Sequence, residues 1–213
     1  MAPVPEPRWR RRKEARPADI VAAALELFTE KGFAAARLDE IARRAGVSKG
    51  TLYLYFDSKE ALFRAVVRDV VVPNVEALRE SVLGSATPFP ERLRELLPRF
   101  AAIVTALPIG AVAKMVIGES RNFPELAKVW HDDVILKSIG LLVELLEAAQ
   151  ARGEVRAGNP RIQAFSIMGP MLLGILWRET FTPIGGAEVD LVAAARQHAE
   201  TVIDGLSLKE SAR

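Results

Sequence analysis

Residues Ile41 to Leu62 read IARRAGVSKGTLYLYFDSKEAL, and this stretch decides the fold. Ile41, Ala42 and Ala45 share one face of a short helix. Gly46 can take the left-handed conformation that ends a helix, and Val47 then turns back onto the same core. Ser48 is placed to cap a second helix by accepting a backbone N–H from its first turn. Two short helices joined by a tight, glycine-containing turn make a helix-turn-helix, whose second helix fits the width of a DNA major groove.

The second helix runs from Lys49 to Phe56. Leu52 and Phe56 face the core, which leaves Lys49, Gly50, Thr51, Tyr53, Leu54 and Tyr55 outward. Cationic and hydroxyl side chains suit phosphate oxygens, and small or apolar ones suit base edges. Asp57 is then expected to cap the next helix together with Glu60. Lys59, in that helix's first turn, is expected to meet a phosphate beside the exposed N–H groups.

Residues 17 to 64 resemble the DNA-binding domain of the TetR/AcrR transcriptional regulators. The frame is Ile41-Ala42-x-x-Ala45-Gly46-Val47-Ser48-x-Gly50-Thr51-Leu52-Tyr53-x-Tyr55-Phe56-x-Ser58-Lys59-Glu60-x-Leu62, with Phe28, Gly32 and Phe33 upstream. So many residues at fixed spacing make a specific signal. Arg37 departs from the pattern, which has Thr or Ser there. Arginine cannot cap by accepting an N–H, so about 1 kcal/mol of local stability is missing and any phosphate contact must come from charge. With Leu38 it completes the DNA-facing set that the resemblance implies.

Composition bounds the rest. A chain of 213 residues, half of them hydrophobic, can build a sizeable core. The absence of cysteine excludes disulfides and thiolate chemistry and makes a reducing cytoplasm the expected setting. No apolar stretch follows the basic N-terminus, so no secretory signal is expected. The longest apolar run, Ala164 to Trp177, is too short to span a bilayer and is interrupted by Gly169, Pro170 and Gly174.

Net charge is only +2, but its distribution is uneven. Arg8, Arg10, Arg11, Arg12, Lys13 and Arg16 face only Glu6 and Glu14, while the remainder is slightly acidic. Residues 1–7, with three prolines, are expected to be disordered. RWRRRK (8–13) is either a solvated tail or an arm that docks on DNA. Beside a helix-turn-helix the arm is the preferred reading, with Arg10, Arg11 and Arg12 reaching the minor groove.

Downstream of the basic arm only helical patterns appear, giving an all-α chain of about nine helices. The first is expected over 17–31, ended by Gly32. A long helix over 58–83 should kink at Pro73, and 84–90 should be a loop. Further helices are expected over 91–106, to about residue 119, and over 124–152, 160–180 and 187–206, after which the chain should fray. The domains follow: a basic arm (1–16), a three-helix DNA-binding domain (17–64) and a helical regulatory and dimerisation domain (65–213).

Catalysis needs titratable groups that converge. His131 and His198 have no carboxylate three or four residues away, so neither a metal site nor an enzyme is expected, and no cofactor. A sensor needs an apolar cavity instead. Met115, Phe123, Trp130, Phe165, Met168, Met171, Leu172 and Trp177 supply adaptable apolar surface, which is core or cavity lining. The family resemblance implies a ligand cavity among the helices from the fourth to the eighth, with Asn122 or Arg178 as candidate polar contacts and Gly110, Gly118 and Gly169 leaving space. The scarcity of foreseeable buried charge suits a hydrophobic or amphipathic small molecule.

The last helix carries an apolar stripe of Leu191, Ala195, Ala199, Val202, Ile203 and Leu206. By itself this stripe finishes the core of one chain or meets a second. The resemblance implies the second, a four-helix homodimer interface. The expectation is therefore a dimeric repressor of double-stranded operator DNA, released allosterically by an effector and not associated with a membrane. The alternative is a regulator of the same fold answering to a protein partner.

Overall fold

A computed structural model of the chain describes residues 17–83 and 87–208. The expected disordered tail, the arm with Arg10, Arg11 and Arg12, part of the 84–90 loop and the fraying end lie outside those residues. Among the described residues there is no β-strand; the chain is helical, with one isolated bridge between Val155 and Ser207. It divides into two compact units, one ending at Val66 and the other beginning at Val67.

The first unit holds α1 (Pro17–Ala35), α2 (Leu38–Arg44), α3 (Lys49–Tyr55) and α4 (Lys59–Val66). Gly32, at φ 80°, kinks α1 where the helix was expected to stop, and Phe33 beyond it is fully buried. Phe28, Phe33 and Phe63 form an aromatic triad with ring centroids 5.3, 6.1 and 6.0 Å apart. Ile20, Leu27, Ile41, Leu52 and Leu62 are fully buried in the same unit. Each such side chain contributes roughly 1.5–3 kcal/mol by leaving water.

The second unit holds α5 (Val72–Val82), α6 (Phe89–Ala106), α7 (Ile109–Glu119), α8 (Pro124–Trp130), α9 (Leu136–Ala151), α10 (Pro160–Thr180) and α11 (Leu191–Leu206). A π-helical turn, Val67–Val71, precedes α5, and another, His131–Ile135, joins α8 to α9. Counted with the helices that these turns connect in sequence, the described residues hold nine helices. The break expected at Pro73 is therefore a widened turn just before it. Proline supplies no N–H to the Asp69 carbonyl four residues back, and beside it the Asn74 side chain donates to the Val70 carbonyl (2.7 Å).

In this unit α11 packs along α6 and α10 along α9. Gly174 leaves room for the Leu191 side chain of α11, since a Cβ there would stand 2.7 Å from Leu191 Cδ2. His198 bonds the Ile167 carbonyl (2.9 Å), a second tie between α11 and α10.

The stripe Leu191, Ala195, Ala199, Ile203 and Leu206 is buried within the single chain, with Val202 partly buried against the same core. This corrects the expectation that these residues form the face toward a second chain. Their spacing of three to four residues puts them on one side of α11, and α6 occupies that side. The helix of this unit that leaves most large apolar side chains uncovered is α10, with Ile162, Phe165, Leu172, Leu173 and Trp177; Ile117, Ile135, Leu136, Phe181, Ile184 and Leu208 are exposed elsewhere in it. Among the described residues no single helix is long and apolar enough to cross a membrane.

Candidate nucleic-acid interface and ligand cavity

The turn between α2 and α3 is built by hydrogen bonds that the local sequence dictates. Gly46, at φ 71°, donates to the Arg43 carbonyl, and Val47 donates to Ala42, which together satisfy the helix end as a Schellman motif. Ser48 Oγ accepts the Thr51 N–H at 3.0 Å and lies 2.8 Å from the Thr51 hydroxyl. Three ion pairs tie α2 to α1: Arg44 grips Glu30 through both carboxylate oxygens (2.6 and 2.8 Å) and stands 3.6 Å from Glu26, and Lys31 reaches Glu40 (2.6 Å). The Arg44 hydrogen bond holds the Glu30 carboxyl below its ordinary range, against a smaller opposing cost of desolvation.

On that support α3 turns Leu52 fully inward and leaves Lys49, Gly50, Tyr53, Leu54 and Tyr55 exposed, Leu54 at 82%. Thr51 is half-buried beside Ser48. Lys49 Nζ lies 5.9 Å from the centre of the Tyr53 ring. Cation, hydroxyls and one apolar side chain thus share the outer face of a helix short enough to lie in a groove. Arg37 sits at the α2 N-cap without a side-chain cap bond; its Nε pairs with Asp39 at 3.1 Å while 76% of its side chain stays exposed. Leu38 is half-buried.

Lys59 has a different place from the one expected. Its Nζ donates to the carbonyls of Phe33 (2.6 Å), Ala36 (3.0 Å) and Ala34 (3.1 Å) and stands 4.4 Å over the Phe33 ring. Those carbonyls follow the α1 kink, and the ammonium satisfies them. The α4 cap also moves by one residue: Ser58, not Asp57, accepts the Ala61 N–H at 3.0 Å.

The second unit contains a cavity of about 180 Å³ between α6, α7, α9 and α10 and around the second π turn. Trp130, Phe165, Met168 and Leu172 line it, as do Gly110 and Gly169. Met115 and Met171 are buried away from it in the core, and Phe123, Asn122 and Arg178 do not line it. Met115, Met171 and Arg178 sit on α7 and α10 at the wrong helical phase, whereas Asn122 and Phe123 lie in the turn between α7 and α8.

The cavity also takes Phe100, Val104, Ile109, Val134, Ile139 and Ile175, which the sequence does not separate from ordinary core. Ser138 is the one hydroxyl among its lining residues. Its signal was visible: eight residues after Trp130 and four after Val134, it is a lone small polar residue on an apolar face. The exposed members Phe165, Gly169, Leu172 and Ile135 mark the rim. Such a site takes an apolar body and offers it few polar fixings.

Comparison with known proteins agrees with both halves. Residues 20–66 match the profile of bacterial regulatory proteins of the tetR family, and residues 91–204 match that of the AefR-like transcriptional repressor C-terminal domain. The fatty acid metabolism regulator protein of Bacillus subtilis strain 168 is 24% identical over 202 residues, covering 92% of this chain and 100% of that one.

Two solved structures share the fold. FadR from Bacillus subtilis, in complex with stearoyl-CoA, superposes with a TM-score of 0.75 at 20% identity, over 89% of this chain and 99% of that one. FadR from Thermus thermophilus, a transcriptional repressor in complex with lauroyl-CoA, gives 0.64 at 24% identity, over 93% and 98%. With one profile on the helix-turn-helix and another spanning over half of the chain, this protein belongs to the TetR family of bacterial transcriptional regulators.

Proposed function

We propose that this chain is a repressor that binds operator DNA as a homodimer and is released by a fatty acyl thioester of the acyl-CoA type. The observation that carries this reading is the cavity of about 180 Å³, lined almost wholly by aliphatic and aromatic side chains with Ser138 as its hydroxyl. An acyl chain needs such a lining, since it has no group for a polar wall to bind. The acyl-CoA complexes of the two FadR neighbours support the choice of ligand, and the repressor-type C-terminal profile supports the direction of control.

The reading head would be α3, with Lys49 and Tyr53 on phosphates and Gly50, Thr51, Leu54 and Tyr55 toward base edges. A second chain places a second α3, and the uncovered apolar row of α10 is the surface that offers it a seat. The ligand must bind the non-operator state better than the operator state. A tenfold difference in affinity corresponds to about 1.4 kcal/mol of coupling.

The test is thermal melting and operator gel shift of the full chain with acyl-CoAs of increasing length. Stabilisation of the free protein and release of DNA by the same compounds is the expected result. A series that neither raises the melting temperature nor releases DNA would overturn the acyl reading and favour control by a protein partner.

A further inference from the structure

A second void, of about 30 Å³, lies beside the cavity in the same unit. Val75 and Leu78 of α5, Leu96 and Leu97 of α6, and Leu141 and Leu142 of α9 wall it. Phe100, Ser138 and Met168 line both this void and the larger cavity, so these three side chains form the divider between them. A space of this size would hold at most one water, and its other walls offer that water no hydrogen bond. Its fitting occupant is therefore apolar, and the divider is the side it shares with the cavity.

The divider is suited to yield. Met168 is only half-buried, and its unbranched thioether has three rotatable bonds, so it can change rotamer without moving the backbone. We infer that the two voids are one ligand path with a movable partition, and that the partition makes the protein a gauge of alkyl chain length. This inference rests on the acyl reading above. A short chain ends at Phe100 and Met168. A longer one turns Met168 aside and lays its last methylenes against Val75 and Leu78. Only the longer chain then touches α5, the helix that follows the first π turn.

The experiment is calorimetric titration of the full chain and two variants with decanoyl-, lauroyl-, palmitoyl- and stearoyl-CoA. Each methylene newly buried in an apolar space is worth about fourfold in affinity, which sets the scale of the effect. Leu78→Phe fills the second void and is expected to weaken stearoyl-CoA by roughly fourfold or more while decanoyl-CoA keeps its affinity. Met168→Ala removes the partition and is expected to tilt the preference toward the longer chains by a similar factor. Should Leu78→Phe fail to fold, Met168→Ala decides alone. Ratios of long-chain to short-chain affinity that stay at the wild-type value overturn the chain-gauge inference and leave the acyl reading standing. A wild-type protein that binds none of the four overturns the acyl reading itself, and the inference falls with it.

Discussion

Lys59 Nζ stands 4.4 Å over the ring of Phe33 and 2.6 Å from that same residue's carbonyl oxygen. One ammonium thus serves a cation–π contact and the carbonyls that the α1 kink leaves open. Lys59→Met is expected to destabilise the N-terminal unit by about 1–3 kcal/mol, since it strips a charged donor from partly buried acceptors. The slope of DNA affinity against salt should not change. A slope reduced by about one in a titration from low to high salt would return Lys59 to the DNA interface.

Lys49 and Tyr53 give the opposite pattern. Lys49→Ala is expected to weaken binding to all sequences alike and to reduce the salt slope by about one, with little loss of melting temperature. Tyr53→Phe should cost about 0.5–1.5 kcal/mol of DNA affinity and leave the slope alone. Wild-type affinity for both variants in the gel shift would place a different face of α3 against DNA.

The α10 row and the α11 stripe separate assembly from folding. Leu173 is 64% exposed in the single chain, whereas Ile203 is 6% exposed. Leu173→Glu is expected to yield a folded monomer by light scattering with operator binding lost. Ile203→Glu puts an unpaired charge in the core and should cost about 3–5 kcal/mol of stability. A soluble dimer for Leu173→Glu would move the interface off this row.

Acid should loosen the start of α6. Glu154 accepts the Phe89 N–H (2.7 Å) and pairs with Arg152 (2.5 Å). The Arg152 hydrogen bond is the larger influence holding its carboxyl below the ordinary value of 4.5, followed by burial, which opposes it, and then the Phe89 hydrogen bond. A carboxylate whose folded value is depressed supplies stability that is whole above its ordinary range. That stability is lost as pH falls through the folded value. Glu154→Gln should therefore cost about 1 kcal/mol at neutral pH and show a shallower loss of melting temperature between roughly pH 5 and pH 3. Parallel curves for the two proteins would assign the acid sensitivity elsewhere.

The helix-turn-helix was legible because its determinants are local. The Gly46 turn, the Ser48 cap and the inward Leu52 all act within a few residues of one another. Lys59 was not legible in the same way, since its acceptors lie 23 to 26 residues upstream and only the folded kink brings them near. The α11 stripe was legible as a period, but a period does not say whether the covering surface is α6 or a second chain.

The cavity was half legible. Trp130, Phe165, Met168 and Leu172 stand out by size, whereas Phe100 and Val134 look like any core residue until the gap beside them is seen. Ser138 was missed although its isolation on an apolar face was a usable sign.

The π turn at His131–Ile135 is a helix with one residue too many, and it sits in the cavity wall between Trp130 and Ser138. A step of eight residues would turn by about 80° beyond two full turns in a regular α-helix, and the widened turn takes up that excess. That is why Trp130 and Ser138, eight residues apart, look into the same space. The cavity wall can therefore gain or lose a residue at this point and still present the same helix faces inward, which leaves its lining open to change by insertion and deletion as well as by substitution.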